Sequence, residues 1–453
     1  MAPRQVNRET ADDGTVPSGP IGDRDPESAV RRAPFSDNPE VGARGQRTQQ
    51  RILDAALQVF GERGYHQTGI AGITEVAGCS RASFYQYFSS KEDVYRRLTG
   101  QVARQISAST EALRPLTPDV DGWRAMREWV GRYADTYARY EPVFATFWAA
   151  AETDEAVAPG AARTTERNIA RLRSKLPTTA LPPRKLDPLL QLVLECLART
   201  LETVWVLRSV APAAYPLEQV EDALTDVFHR SLFGAQADVN VRPHAGGSPP
   251  HIGFGPVVRE ALQDDDANPG LTAAGRRTLA ALLEAGHAVF VERGYHPTRV
   301  DDIVATAGVS HGAFYRYFKD KHHLAEVLGV RAIRDVSVTL ADIPDVIDTG
   351  AAGRAALRRW LRRYNATQAN QAAMITVWVD AGRDDPDHER DAAAALDWGR
   401  RTLARYLEPR QFGDVDTEAV VMEALLSGFG SRERPPEMID AAAHVIERGL
   451  LGL

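Results

Sequence analysis

The chain has 453 residues, too many for one compact core and enough for two or three domains. Hydrophobic residues make up 43% and charged residues 25%, the balance of a globular protein. The net charge of −7 excludes a protein that coats nucleic acid non-specifically, although a local basic face remains compatible with it.

The N-terminus has no basic start followed by an apolar core, so it does not read as a signal peptide, and no apolar run reaches the roughly 18 residues of a membrane span. Cys79 and Cys196 are the two cysteines, far apart in sequence, and read as reduced thiols. A cytoplasmic protein without a membrane partner is expected. Residues 1–43 are rich in Pro, Gly, Asp and Arg and poor in large apolar side chains, the composition of a disordered tail.

Residues 44–97 read as a compact helical head. Ile52, Ala55, Ala56, Val59 and Phe60 share one helical face, and Gly64 stands where a left-handed residue closes that helix. Thr68 is placed to cap a second helix carrying Ile70 and Ile73. Ala77 and Gly78 make a tight turn, and Ser80 caps a third helix. On that helix Phe84 and Phe88 point to the core, leaving Arg81, Ser83, Tyr85, Gln86 and Tyr87 for the outer face. Lys91, near the start of a fourth helix, suits a backbone phosphate. Arg44, Arg47 and Arg51 are expected to precede the first helix as an arm.

Residues 98–233 are helical in period and carry Trp123, Trp129, Tyr133, Tyr137, Tyr140, Phe144, Phe147 and Trp148 at largely helical intervals, a stripe that ordinarily forms core. Residues 234–270 read as a Pro- and Gly-rich linker ending near the acidic run Asp264, Asp265 and Asp266. As a flexible coil it has an end-to-end distance of ~30–36 Å.

An internal repeat follows. Glu62-Arg63-Gly64-Tyr65-His66 recurs as Glu292-Arg293-Gly294-Tyr295-His296, an offset of 295 − 65 = 230 residues that then holds without a gap. Phe84, Tyr85, Tyr87, Phe88 and Lys91 return as Phe314, Tyr315, Tyr317, Phe318 and Lys321, and Trp148 returns as Trp378. Residues 271–330 are therefore a second head. Thr298 and Ser310 stand at the capping positions, Arg276 and Arg277 form the arm, and His311, Ala313, Tyr315, Arg316 and Tyr317 lie on the outer face. Residues 331–453 are a second helical bundle with Trp360, Tyr364, Met374, Trp378 and Trp398. The whole chain reads all-α.

Thr68, Ile70, Ile73, Ala77, Gly78, Ser80, Tyr85, Phe88 and Lys91, at this spacing, resemble the N-terminal signature of the TetR family of transcription regulators. Thr298, Val300, Ile303, Ala307, Gly308, Val309, Ser310, Gly312, Tyr315, Phe318 and Lys321 match it more closely. The resemblance covers about 50 residues per copy. Cys79, Ala82 and Gly72 depart from it in the first copy, and a glycine inside the second helix costs ~1 kcal/mol against alanine. The resemblance implies two tandem units, each a helix-turn-helix head followed by a ligand-binding and dimerisation bundle. It implies that Thr68, Tyr85, Lys91, Thr298, Tyr315 and Lys321 meet the backbone of a double-stranded DNA operator, and that other third-helix positions choose its sequence. Arg81 against His311, and Gln86 against Arg316, mean that the heads need not prefer the same half-site.

A small apolar effector is implied, with Tyr140, Phe144, Trp148 and Trp378 as lining candidates. The last two helices of each unit, 187–210 with 217–233 and 417–428 with 438–451, match the family's dimerisation pair. They imply an intramolecular pseudo-dimer, or a homodimer with four heads. A ligand-responsive repressor is the expected function, and an interaction scaffold with one or both heads idle is the alternative. No P-loop, metal-spaced His/Cys cluster or nucleophile elbow is present, so neither an enzyme nor a cofactor or metal site is expected.

Overall fold

The computed structural model describes residues 42–453 apart from 66, 154–157, 178–180, 236–238, 240–248, 256–257, 259–270, 347–349, 383–385, 410–412 and 429–432, and leaves aside the side chains of 147–161 and 386–387. Residues 1–41 of the tail expected over 1–43, most of the linker and the side chain of Trp148 lie outside the described residues, and Ala43 belongs to the first helix. Every regular element among the described residues is a helix. None of these is long and apolar enough to cross a membrane.

The first half runs α1 (Ala43–Arg63), α2 (Ile70–Val76), α3 (Arg81–Tyr87), α4 (Lys91–Glu111), α5 (Val120–Thr153), α6 (Ala158–Ser174), α7 (Pro183–Val210) and α8 (Leu217–Phe233). The second runs α9 (Ala273–Arg293), α10 (Val300–Ala307), α11 (His311–Tyr317), α12 (Lys321–Ala341), α13 (Gly350–Gly382), α14 (Pro386–Leu407), α15 (Val415–Ser427) and α16 (Pro436–His444), which continues into a π-helical turn, Val445–Leu450. Adding 230 to the bounds of α1, α3 and α4 returns those of α9, α11 and α12 (43 + 230 = 273, 81 + 230 = 311, 91 + 230 = 321). The repeat is therefore one of structure, helix for helix, through both heads.

The copies diverge in the next helix. Pro142 lies inside α5, where its ring removes a backbone donor and crowds the preceding turn, and Tyr140 leaves helical geometry at φ −116°, ψ 24°. The equivalent of Pro142 is Ala372, and α13 is helical throughout. Gly61, at the end of α1, admits the kink closely: a methyl group there would stand 3.3 Å from Pro142 Cγ. The equivalent of Gly61 is Val291, which is 52% exposed, so the second head lacks this contact.

The main core crosses from one half to the other. Val193, Leu197 and Leu201 of α7 and Leu224 and Phe228 of α8 join Val421 and Leu425 of α15 and Ile439 and Ile446 of the last helix in one buried cluster. Each such side chain contributes about 1.5–3 kcal/mol relative to exposure. Polar groups close the same seam. Arg230 donates to Glu418 Oε1 at 2.7 Å and to the Gly449 carbonyl at 2.7 Å. His444 Nε2 lies 2.8 Å from the Ser231 carbonyl, and the Cys196 thiol donates to the Val421 carbonyl at 3.6 Å. Gly449 is required there, because a methyl group would stand 2.3 Å from Ser231 Oγ. The first head shares this large core, whereas the second head has its own, built on Leu282, Phe290, Ile303, Phe314, Phe318 and Leu324 with Met374 and Val377 from α13.

Part of the expected free linker is docked. The Ile252 amide donates to Asp397 Oδ2 at 3.1 Å and the Gly255 amide to Asp391 Oδ1 at 2.6 Å, both on α14, and Ile252 is buried. Asp397 is itself buried and takes Arg400 and Arg401 as well. A coil free over 234–270 is thus corrected, because two carboxylates collect backbone donors that water would otherwise satisfy.

Candidate nucleic-acid interface

Each head is a three-helix unit positioned by its phenylalanines. Phe84 and Phe88 are fully buried, 5.8 Å apart between ring centroids, and Phe314 and Phe318 repeat them at 5.6 Å. Ser80 Oγ accepts from the Ser83 amide at 3.1 Å, and Ser310 Oγ from the Ala313 amide at 3.3 Å, so both recognition helices start with the expected cap. With the phenylalanines inside, α3 exposes Arg81, Tyr85 and Gln86, and α11 exposes His311, Tyr315 and Arg316; Ser83 and Ala313 are half-buried. Tyr85 and Tyr315 stand out at 48% and 58% exposure, each meeting the buried Phe84 or Phe314 ring only edge-on, at 5.5 and 5.4 Å between centroids.

Several expected roles change. Tyr87 and Tyr317 are half-buried, not outward. The Tyr317 hydroxyl donates to the Gly275 carbonyl at 3.1 Å, tying the recognition helix to the first turn of α9. Thr68 and Thr298 are buried and do not cap: the N-cap positions are Gly69 and Arg299. Their hydroxyls instead donate back to the Gly64 and Gly294 carbonyls, each at 2.7 Å, bracing the turn. Gly64 and Gly294 have φ of 73° and 75°, a region that favours glycine, but with extended ψ in place of the left-handed helical value. Arg44, Arg47, Arg51, Arg276 and Arg277 do not form a preceding arm: α1 and α9 begin at Ala43 and Ala273, which places these exposed cations within the helices.

The lysines also have a different task. Lys321 Nζ donates to the carbonyls of Tyr295, His296 and Thr298 at 3.0, 3.1 and 2.9 Å, and lies 4.5 Å from the Tyr295 ring centroid. An ammonium has three N–H bonds, so all are used. Lys91 repeats the arrangement on the Tyr65 carbonyl at 2.8 Å and over the Tyr65 ring at 4.4 Å. Burial lowers the pKa of both. They clasp the turn between the first two helices.

One feature of the second head was not anticipated. Asp302 takes the Arg299 amide at 3.0 Å and pairs with Arg293 at 2.7 Å, stitching the start of α10 to the end of α9. Its counterpart is Gly72, over which the Arg63 guanidinium lies: a methyl group there would stand 3.1 Å from Arg63 Nη1. An acidic residue three places after the N-cap was the available signal.

In the bundles, Tyr140, Phe144 and Trp378 are packed core. Tyr137 stacks on Phe144 at 4.7 Å, Gln105 donates to the Tyr140 hydroxyl at 3.1 Å, and Trp378 lies 4.2 Å from the His388 ring. A cavity of about 340 Å³ lies elsewhere, between α6, α7 and the start of α16, lined by Glu166, Arg173, Asp187, Gln191, Arg434 and Met438 among others. It is more polar than the apolar pocket expected.

The family described as "Bacterial regulatory proteins, tetR family" matches residues 52–98 and 282–328, which are the two heads. The chain is 34% identical over 71 residues to the uncharacterized HTH-type transcriptional regulator YdgC of Bacillus subtilis (strain 168), covering 16% of this chain and 36% of that protein. It is 40% identical over 78 residues to the HTH-type transcriptional activator FasR of Mycolicibacterium smegmatis, 17% of this chain and 36% of the relative. It is 36% identical over 53 residues to the HTH-type transcriptional regulator AcrR of Shigella flexneri, 12% and 25%. The matched stretch thus spans about a third of the length of the first two relatives. Both heads, in tandem on one chain, are thus domains of the tetR family of bacterial regulatory proteins.

Proposed function

We propose that the chain is a transcription regulator that binds a double-stranded DNA operator through both heads at once, as an intramolecular pseudo-dimer. The observation that carries this reading is the shared seam: α7 and α8 pack on α15 and α16 with the Arg230–Glu418 pair buried between them. Two heads on one continuous polypeptide give the two contacts that a pair of half-sites needs without a second chain. Tyr85 and Tyr315 are the side chains proposed to meet the DNA backbone, flanked by Arg47 and Arg276 on the first helices.

The proposed mode is ligand-released repression. The route from bundle to head is the contact of Gly61 with Pro142, since a ligand that changes the α5 kink at Tyr140 moves the end of α1. The effector site itself is proposed at this kink, with Tyr140 and Phe144 yielding to admit an apolar molecule.

Selection of bound sequences from a random DNA pool, at one stated salt concentration, tests the reading. An enriched site of two half-sites bound by a monomeric chain is expected, with binding that weakens steeply as salt rises. Absence of any sequence preference over competitor DNA would overturn it. Alanine at Tyr85 or at Tyr315 should each lower operator affinity; loss at only one of them would support the reading in which the other head is idle.

A further inference from the structure

The recognition helices occupy equivalent places and expose unlike chemistry. At 100° per residue, the exposed arc of α3 runs from Arg81 through Tyr85 and Ala82 to Gln86. Its first and last members are about 140° apart around the axis and about 7 Å apart along it. The arginine stands at one edge of this arc in α3, as Arg81, and at the other edge in α11, as Arg316. A guanidinium pairs two hydrogen bonds with guanine O6 and N7, whereas a glutamine amide pairs with adenine N6 and N7.

The surroundings sharpen the difference. His311, which replaces Arg81, has Nε2 3.3 Å from Asp301 Oδ1, so its imidazole is engaged by a neighbouring carboxylate on the same exposed face. The position equivalent to Asp301 is Ala71, exposed and uncharged. The second head therefore carries a carboxylate beside the first turn of its recognition helix, which disfavours close phosphate approach at that edge and leaves Arg316 as the dominant donor.

A homodimer presents two copies of one reading surface and selects a palindrome. Here the seam of α7, α8, α15 and α16 pairs one head of each kind within a single chain. The geometry points to a directional operator: one half-site with guanine under Arg81 and adenine under Gln86, the other with guanine under Arg316 at a different distance from the centre. The complex then has a defined orientation on DNA, and its two half-sites are not interchangeable. This inference rests on the DNA-binding reading above.

The test is the same random-pool selection run on the full chain and on a triple variant, Arg81→His, Ser83→Ala and Gln86→Arg, which gives α3 the side chains of α11 at every position except 82, where Ala82 stands against Gly312. The unmodified chain should enrich a site of two unlike halves, and the triple variant a site closer to dyad symmetry. In a second arm, Arg316→Ala should lose about tenfold in affinity and its guanine preference in one half-site only. A palindromic site for the unmodified chain, or an unchanged site for the triple variant, would sink the directional operator while leaving DNA binding intact. No enriched site for any chain removes the DNA-binding reading first, and this inference with it.

Discussion

The guanidinium of Arg230 and the carboxylate of Glu418 meet at 2.7 Å across the seam between the two halves, with side-chain exposures of 8% and 0%. Two groups 188 residues apart are thus held where neither has water to fall back on. Breaking a buried pair by removing one partner leaves an uncompensated charge and costs about 3–5 kcal/mol. Arg230→Ala is therefore expected to lower the melting temperature strongly and to split a single thermal transition into two. Arg230→Met with Glu418→Leu should recover much of the loss. Calorimetry reads both, and a single transition unmoved by Arg230→Ala would contradict the seam.

Glu423 gives the protein a pH dependence of a stated sign. It lies inside the second bundle against Gly399, where a methyl group would stand 2.5 Å from its Oε2, and burial pushes its carboxyl up to about 8. The folded chain then holds a proton that the unfolded chain has released above about 4.5. Stability should fall as pH rises from about 5 to 8, because there the native state binds more protons than the unfolded one. Glu423→Gln removes this slope, and melting curves across that range would show the two chains diverging as pH rises. Asp226, pushed up to about 7 chiefly by burial, adds a second contribution of the same sign.

Gly72 leaves the first head without the carboxylate contacts that Asp302 makes in the second. Gly72→Asp should set a carboxylate against Arg63, as Asp302 is set against Arg293, and replace a glycine within a helix. A gain of about 1 kcal/mol is expected in the first head. Hydrogen exchange of the α1 and α2 amides measures it locally; slower exchange is the predicted result, and faster exchange would mean that Arg63 cannot yield its place.

Lys321 and Arg316 should separate cleanly. Lys321→Met removes the clasp on three carbonyls and is expected to cost about 1–2 kcal/mol of stability. The slope of log affinity against log salt should stay unchanged. A lysine that neutralised a phosphate would instead reduce that slope by about 0.9. Such a reduction, at unchanged stability, would return Lys321 to the interface.

Most of the heads was legible in the sequence, because their geometry is local. Ser80 and Ser310 cap within three residues, the phenylalanines recur at helical spacing, and the offset of 230 carries one reading onto the other. The all-α fold and the helices of the seam followed from the same short-range periodicity. The tertiary structure decided what depends on residues far apart in the chain. Lys91 and Lys321 read as free cations until the carbonyls 23 to 26 residues away are folded onto them. Thr68 and Thr298 occupy capping positions in sequence, yet the turn buries their hydroxyls on the preceding helix. The docking of 251–255 on Asp391 and Asp397 spans about 140 residues, and periodicity carries no record of such a contact. Short-range hydrogen bonds and helical spacing determine which segments form; competition among distant donors, acceptors and apolar faces determines what each exposed or buried side chain is left to do.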